Sequence, residues 1–395
     1  MTEGNYRHLY VVMEVQDGKL VPVSLEMLGE ARRIFDKFNK KYDSVEKVVA
    51  ILLGHNIKEI SPRLINYGAD AVIVCDHPEL KEIRNTICTK VISQIAKDVE
   101  LAKKIEPQYS EDFKMPRYMF FAADSIGRHL SSTVLAELES GLASDINKLE
   151  INDLEITHQQ KTNGKPIVYQ KTMEMYRPDF SGFLWTTILC LDNKNPSIER
   201  DYHPQACSII PGVFEPIEPT SKRKGQIIEY HPKIDEDDLK VKVLSRKIIK
   251  SKIDFDSHKA VISFGRGIRD SPEQNIKLIE QLAKELSAEI GVSLPISKKP
   301  FSVSQSSAAT YMIPDRVIGT SGRKISPLVY IAVGISGAMQ HIAGMRDSEF
   351  VVSINPDENS PIKDESDILI KGRIEDVIPL LIEELKIQSQ ATSVQ

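Results

Sequence analysis

Residues 327–345 of this 395-residue chain read PLVYIAVGISGAMQHIAGM. The apolar run 329–333 is typical of a buried strand, and it leads directly into a turn bounded by Gly334 and Gly337. Glycines at the carboxyl end of a parallel strand allow the backbone to approach a ligand closely. This segment therefore predicts a nucleotide-type cleft built on a buried parallel strand.

Two further glycine turns occur in the same half of the chain. The strand-like run 260–264 ends in Gly265-Arg266-Gly267, and residues 319–322 read GTSG. Free amides at a following helix N-terminus and the fixed charge of Arg266 suit a phosphate group. None of these turns has the G-x-G-x-x-G spacing. The residues alone therefore indicate a dinucleotide-type site without specifying a reaction.

Strand-like and helix-like patterns alternate through both halves of the chain. Apolar runs typical of strands lie at 9–13, 48–53, 71–75, 118–123, 260–264, 329–333 and 350–354. Such alternation favours mostly parallel sheets covered by helices on both faces. We therefore predict an α/β fold with an N-terminal Rossmann-like domain over 1–250 and a C-terminal doubly wound domain over 251–390.

Two segments refine this prediction. A helix is expected from Ser271 as N-cap, with Gln274 completing a capping box, through Ile290 to a stop at Gly291. Within the N-terminal domain, helical periodicity disappears over about 150–219, which reads as an irregular β-rich stretch. Its part around 152–195 looks expanded and is either a partner surface or a region of loop variation.

Composition excludes several classes of function. The net charge of −5 gives no basic field for nucleic acid, and no apolar run approaches the roughly 20 residues of a membrane span. The histidines show no metal-ligand spacing, and the cysteines match no zinc or iron–sulfur pattern. The N-terminus has no signal-peptide pattern, so we expect a cytoplasmic protein without a bound metal.

The segment 327–345 closely resembles the signature of the electron-transfer flavoprotein alpha subunit. The likeness runs through nearly the whole chain, since further short segments also resemble that family. These segments are DGKL at 17–20, LGHN at 53–56, YGAD at 67–70, SIGR at 125–128 and PGVFEP at 211–216. A likeness of this length is far more specific than any single glycine turn.

The resemblance implies a subunit that forms a heterodimer with an electron-transfer flavoprotein beta subunit and binds FAD in its C-terminal domain. It also implies an electron carrier, without stand-alone catalysis or catalytic residues. The donor would be a dehydrogenase such as the acyl-CoA dehydrogenases of fatty acid beta-oxidation, and the acceptor a quinone reductase. Alternatively, flavin-based bifurcation from NADH would use a second FAD in the beta subunit and a ferredoxin- or NAD-linked acceptor.

The resemblance also assigns cofactor-binding residues. Arg266 lies beside the cofactor, Ile318 to Ser321 form a loop at the flavin ring, and His341 lies near the flavin C2 carbonyl. Asn355 and Asp367 correspond to the adenosine end. The full set is Arg266, Ser293, Ile318, Gly319, Thr320, Ser321, Ser336, Gly337, Ala338, Met339, Gln340, His341, Asn355 and Asp367.

Three features depart from the family pattern. Leu294 stands where the family has arginine, which predicts a lower flavin potential. The stretch 295–315 is longer than the family's, and Arg373-Ile374 replaces the usual Asp-Leu. These departures keep open a scaffold subunit of a dehydrogenase complex with a weakened flavin site. Another class of function, a stand-alone nicotinamide-dependent oxidoreductase, is disfavoured because the G-x-G-x-x-G motif is missing.

Overall fold

The structure, a computed structural model, describes residues 6–107, 113–179, 184–247, 253–255 and 257–392. The described residues up to Arg246 form one compact unit, and those from Lys247 onward form a second. The predicted domain boundary after residue 250 falls between 247 and 253, outside the described residues.

The first unit is built on a parallel sheet flanked by helices. Its elements are β1 (Tyr6–Met13), β2 (Val15–Gln16), β3 (Lys19–Leu20), α1 (Pro22–Lys41), β4 (Val48–Gly54), α2 (Ser61–Asn66), β5 (Ala71–Asp76), α3 (Asn85–Lys97), α4 (Val99–Ile105), β6 (Met115–Ala122), α5 (Ser125–Glu137), β7 (Leu142–Ile146), β8 (Lys148–Ile156), α6 (Gln159–Thr162), β9 (Ile167–Asp179), β10 (Leu184–Leu189), β11 (Gln205–Ile209) and β12 (Gln226–Glu229). Seven strands pair in parallel in the order β12-β5-β4-β1-β6-β11-β7.

The central strands of this sheet are buried on both faces. One hydrophobic cluster packs Phe35 and Phe38 of α1 against one face, and another packs Val91 and Ile92 of α3 against the other. Strands covered on both sides need apolar residues at successive positions instead of an alternating pattern. This explains why the sequence shows β1, β4, β5 and β6 as continuous apolar runs.

The stretch 150–219 contains strands of two different kinds. β8, β9 and β10 form a separate antiparallel sheet, whereas β11 pairs in parallel between β6 and β7. All five residues of β11 are buried. The sequence pattern does not identify β11, because Gln205 and Ser208 interrupt its short apolar run.

The second unit has the strand order of a doubly wound nucleotide-binding domain. Its elements are β13 (Ala260–Phe264), α7 (Pro272–Leu286), β14 (Glu289–Ser293), α8 (Leu294–Ser297), α9 (Gln305–Tyr311), β15 (Val317–Ile318), β16 (Val329–Val333), α10 (Met339–Ile342), β17 (Phe350–Asn355), β18 (Ile368–Lys371) and α11 (Ile374–Thr392). The strands pair in parallel in the order β15-β14-β13-β16-β17-β18. The order reverses between β13 and β16, and the predicted fold class is confirmed.

The predicted end of the helix at Gly291 is wrong. α7 ends at Leu286, the next residue Ser287 is left-handed at φ 50°, and Ile290 and Gly291 lie in β14. Ser271 makes no side-chain capping bond, so the predicted capping box is also absent from α7. Ile290 fits both the apolar stripe of a longer helix and the core pattern of a five-residue strand. The strand forms because Ile290 pairs with Ile262 of β13.

All four cysteines are free, and three of them are buried. Within the described ranges, no three His, Cys, Asp or Glu side chains cluster as metal ligands would. No helix in the described parts of the chain combines the length and apolar character needed to cross a membrane.

In the first unit, two carboxyl groups lie next to the point where the strand order reverses, between β1 and β6. Glu14, 6% exposed, follows β1, and Asp124 caps α5 by accepting the amides of Ile126 and Gly127 at 2.9 and 2.8 Å. Burial, together with the hydrogen bond to Asp124, raises the pKa of Glu14 to about 8. The protonated form of Glu14 is therefore favoured at neutral pH.

The substitution Glu14→Gln is expected to flatten the pH dependence of stability. Because the pKa of Glu14 is about 4.5 unfolded and about 8 folded, its contribution to stability is full below pH 4.5 and is lost as the pH rises to 8. Relative to wild type, the variant should be equally stable at pH 4 and several degrees more stable at pH 9, which thermal melts across this range will measure. Glu155→Gln, at an exposed position, is the matched control. Parallel melting curves for wild type and Glu14→Gln would contradict the expectation.

Candidate functional site

A cavity of about 930 Å³ opens at the carboxyl ends of β13, β16 and β17, where the strand order of the second unit reverses. This volume is at the upper end of the range for small-molecule and cofactor sites. Eleven of the fourteen residues predicted to bind the cofactor line it. They are Arg266, Ser293, Ile318, Gly319, Thr320, Ser321, Ser336, Ala338, Gln340, His341 and Asn355.

The floor of the cavity is made by two glycine turns in direct backbone contact. The amide of Gly267 donates to the carbonyl of Gly334 at 3.0 Å. A Cβ on Gly267 would lie 2.5 Å from the Gly334 Cα, and Gly334 itself is left-handed at φ 58°. Only glycines allow this approach, so the turns after β13 and β16 together form an open cradle for a ligand.

A second close approach holds the loop 318–321 against the segment 338–341. The amide of Thr320 donates to the Gln340 carbonyl at 2.8 Å. Gly319 has φ 141°, and a Cβ there would lie 2.6 Å from the same carbonyl oxygen. The two segments that the resemblance places around the flavin are therefore adjacent along one edge of the cavity.

One end of the cavity carries charge. Arg373 pairs with Asp270 at 3.2 Å and with Glu375 at 3.8 Å, and Arg269 approaches Asp270 at 3.7 Å. These two arginines and two carboxylates neutralise one another. Arg373, which stands where the family usually has aspartate, therefore adds little net charge to the cavity.

The uncompensated cation at this end is Arg266, which makes no ion pair with any other residue that the structure describes. An arginine beside a glycine cradle suits a diphosphate, because its planar fork matches phosphate oxygens. The charge pattern therefore fits the diphosphate of a dinucleotide.

The other end of the cavity is apolar. It is lined by Leu294, Pro295, Pro300 and Phe301, and Leu294 is 38% exposed. Pro300 and Phe301 were not predicted from the sequence, because the stretch 295–315 has neither periodicity nor a family pattern. Asp357 and Ser360 were not predicted either, although their position just after the carboxyl end of β17 indicates that they lie at the cavity.

Hydrogen bonds from the Asn355 side chain hold the turn after β16 in place. Its Nδ2 donates to the Ile335 carbonyl at 2.9 Å, and its Oδ1 accepts the Asp357 amide at 3.0 Å. The side chain is 8% exposed. Asn355 thus shapes the cavity wall through two neighbouring turns.

Three predicted residues do not line the cavity: Gly337, Met339 and Asp367. Gly337 packs its backbone against Ile362, and Met339 lies beside the cavity wall on α10. Asp367 precedes β18, and its carboxylate accepts the Val351 amide at 2.7 Å, near the start of β17. Parallel pairing therefore places Asp367 at the amino edge of the sheet, opposite the cavity, which corrects its assignment to the adenosine end.

His341 lines the cavity but has protein partners for both ring nitrogens. Nδ1 lies 3.0 Å from the Ile318 carbonyl oxygen, and Nε2 lies 2.7 Å from the Tyr330 hydroxyl. Burial lowers the pKa of His341 to about 4, so the imidazole is neutral at physiological pH. A hydrogen bond from His341 to a flavin carbonyl stays a prediction, and it requires one of these bonds to be exchanged.

The fold and the cavity define a two-unit α/β protein whose second unit is a dinucleotide-binding domain. Residues 254–346 match the family described as the electron transfer flavoprotein FAD-binding domain, and residues 9–174 match the electron transfer flavoprotein domain. The chain belongs to the electron-transfer flavoprotein alpha-subunit family, and its cofactor is FAD.

Curated relatives match along nearly their whole length. The chain is 32% identical over 383 residues to the electron transfer flavoprotein subunit alpha of Thermoanaerobacterium thermosaccharolyticum, covering 97% of this chain and 98% of the relative. It is 32% identical over 389 residues to the protein FixB of Clostridium saccharobutylicum, covering 98% of each. It is also 31% identical over 393 residues to the acryloyl-CoA reductase electron transfer subunit beta of Anaerotignum propionicum, covering 97% of this chain and 96% of the relative.

Proposed function

We propose that this chain is the FAD-binding subunit of a heterodimeric electron carrier that accepts electrons from a dehydrogenase and delivers them to a second redox protein. Its partner in the heterodimer would be an electron-transfer flavoprotein beta subunit, with which alpha subunits of this family normally pair. The observation that supports the proposal most directly is the cavity at the β13–β16 reversal, within the segment that matches the FAD-binding domain.

The described residues fit FAD at both ends of the cavity. Gly267 and Gly334 admit a diphosphate close to the backbone, and Arg266 supplies the compensating charge. Leu294 and Phe301 would exclude water from an aromatic ring at the apolar end. FAD, when bound, supplies the one- and two-electron chemistry that no side chain can provide. The protein's part is to bind the cofactor and set the polarity around it.

A dehydrogenase that acts on acyl-CoA thioesters is the donor class we propose. The support is the relative named as an electron transfer subunit of acryloyl-CoA reductase, together with the family resemblance. Simple shuttling to a quinone reductase and bifurcation with a ferredoxin- or NAD-linked acceptor are both compatible with this subunit, since the nicotinamide site would lie on the beta subunit.

The flavin-to-protein ratio of the heterodimer, purified after co-expression with its beta subunit, tests the proposal. One FAD per heterodimer supports a simple shuttle. Two FAD support bifurcation, which an NADH titration of the same sample would then check. An intact heterodimer without flavin would overturn the proposal in favour of the scaffold alternative.

The substitution Leu294→Arg is expected to raise the flavin reduction potential by tens of millivolts, since a guanidinium at the apolar end of the cavity would stabilise the negative charge of the reduced ring. Leu294 lines the cavity directly after Ser293 and is exposed enough to accept a longer side chain. A spectroelectrochemical titration measures the potential, and Leu294→Met is the uncharged control. An equal rise in both variants would show that charge is not the cause.

A further inference from the structure

A short segment, residues 298–303, forms part of the wall at the apolar end of the cavity. It connects α8 to α9, and its Pro300 and Phe301 line the cavity. Phe301 is half-buried, and it also packs on the hydrophobic cluster of the second unit. The Phe301 side chain therefore contacts the protein core and the cavity at the same time.

The end of this segment next to α8 is held by the core. Ile296 is fully buried, and its carbonyl accepts the amide of Lys299 at 3.0 Å. Lys299 is left-handed at φ 53°, so the short helix ends there in a tight turn. Pro300 follows directly, and its ring fixes the next φ angle. The backbone that leads into Phe301 therefore has little conformational freedom.

The other end of the segment is held by one carboxylate of α7. Glu273, in the first turn of α7, accepts the Ser304 amide with one oxygen and the Ser307 hydroxyl at 3.0 Å with the other. Ser304 in turn caps α9 by accepting the Ser307 amide at 3.1 Å. Because Asp270, three residues before Glu273, lines the cavity, this carboxylate ties the segment to the start of α7, beside the cavity.

A second contact joins the same two helices seven residues farther along each of them. Glu280 accepts the Tyr311 hydroxyl at 2.7 Å, and Tyr311 packs edge-on against Phe264 with ring centroids 5.8 Å apart. Residues seven apart lie on the same face of a helix, so one face of α7 carries both carboxylates. Of these two contacts, the one made by Glu273 adjoins the segment 298–303.

We propose that Phe301 makes an aromatic contact with the isoalloxazine ring of FAD at the apolar end of the cavity, and that Glu273 is the positioning residue that holds the segment carrying it. The inference rests on the proposed function, because it names a contact to the proposed cofactor. An aromatic side chain that already packs on the core loses little freedom when a flat ring binds beside it. Glu273 acts through the backbone of the segment and not by touching FAD.

The FAD dissociation constant of the purified heterodimer tests the Phe301 contact. Fluorescence of the FAD released on serial dilution gives this constant, and the visible absorption spectrum of the bound flavin is recorded in parallel. Phe301→Ala should raise the dissociation constant about tenfold and shift the absorption bands, because water replaces an aromatic side chain beside the ring.

Val303→Ala is the matched control for this contact. Val303 belongs to the same segment and packs on the same hydrophobic cluster, but it does not line the cavity. Its dissociation constant and spectrum should match those of the wild type. Unchanged values in Phe301→Ala, or equal changes in both variants, would overturn the contact.

Three further variants test the positioning role in the same assay. Glu273→Ala removes both hydrogen bonds and should weaken FAD binding several-fold. Glu273→Gln should match the wild type, since its amide keeps an acceptor for the Ser304 amide and gains a donor for the Ser307 oxygen. Tyr311→Phe breaks only the contact to Glu280 and should also bind FAD as the wild type does.

The comparison among these variants separates the possible causes. Glu273→Ala and Glu273→Gln remove the same negative charge, so equal weakening in both would show an effect of charge and overturn the positioning role. Equal weakening in Glu273→Ala and Tyr311→Phe would show general loosening of α9 and would overturn it as well.

Amide hydrogen exchange measures how firmly the segment is held without relying on the flavin. Residues 298–304 should exchange about tenfold faster in Glu273→Ala, because the hydrogen bond that fixes the Ser304 amide is lost. Exchange in Glu273→Gln and Tyr311→Phe should match the wild type over the same residues. An unchanged rate in Glu273→Ala would contradict the positioning role.

The flavin content of the wild-type sample separates the two proposals. A heterodimer without FAD would refute the proposed function and the Phe301 contact with it, while hydrogen exchange would still decide whether Glu273 holds the segment. A heterodimer with FAD whose affinity and spectrum are unchanged in Phe301→Ala would refute this inference alone.

Discussion

Replacing Gly337 by alanine is expected to empty the FAD site and to destabilise the second unit. Gly337 has φ 84°, and a Cβ there would lie 2.1 Å from the Ile362 backbone nitrogen. Backbone atoms cannot move aside as a flexible side chain can, so left-handed strain and overpacking together should cost about 2–5 kcal/mol. The displaced turn would carry Ser336 and Ala338 out of the cavity wall. Flavin content and thermal melting of the purified heterodimer measure both effects.

Gly18→Ala is the control for backbone strain. Gly18 has a similar φ of 74°, but a Cβ there would meet no atom within 4 Å. The variant should lose only about 1 kcal/mol and should keep its flavin. If Gly337→Ala also keeps its flavin, the turn after β16 is not the rigid wall that the structure indicates.

Arg117→Ala is expected to destabilise the first unit strongly. Arg117 contacts Glu46 at 2.8 Å, and the Glu46 side chain is only 2% exposed. Glu46 also accepts the His8 amide at 2.8 Å. Loss of the guanidinium leaves a buried carboxylate without its counter-ion, which costs about 3–5 kcal/mol. Thermal or denaturant unfolding of the purified protein measures the loss.

Arg128→Ala is the matched control because it breaks an exposed ion pair in the same unit. Arg128 lies 2.7 Å from Asp145, and their side chains are 55% and 40% exposed. Such pairs contribute about 0–1 kcal/mol, since water solvates both partners once they separate. Equal losses in Arg117→Ala and Arg128→Ala would mean that burial of Glu46 does not set the cost.

The local parts of the site could be predicted from the sequence, whereas its contacts across the fold could not. The turns at Gly265–Gly267 and Gly334–Gly337 follow apolar runs that match β13 and β16 residue for residue. His341 depends instead on Tyr330, 11 residues away, and on Ile318, 23 residues away, in two other elements. Those contacts arise from the pairing of strands and the packing of α10, which no local pattern encodes.

Asp367 also shows that a local sequence pattern does not determine a contact across the fold. Its position in the chain, just before a short strand, is compatible with either edge of the sheet. The parallel register Val352 to Ile368 then places it at the amino edge, beside Val351 and away from the cavity. A resemblance assigns a role to a position in the sequence, but the direction of strand pairing determines the edge of the sheet at which the Asp367 carboxylate lies.

By itself, the sequence determined the α/β class, the two parallel sheets and the family, because hydrophobic periodicity and glycine positions are local properties of the chain. Only the tertiary structure decided which groups lie at each point where the strand order reverses. Between β1 and β6 the buried side chain of Glu14 lies beside Asp124, which caps α5. Between β13 and β16 two glycine turns touch and leave about 930 Å³ open. The physical reason is packing: side chains from distant segments occupy the first position, whereas bare backbone forms the floor of the second.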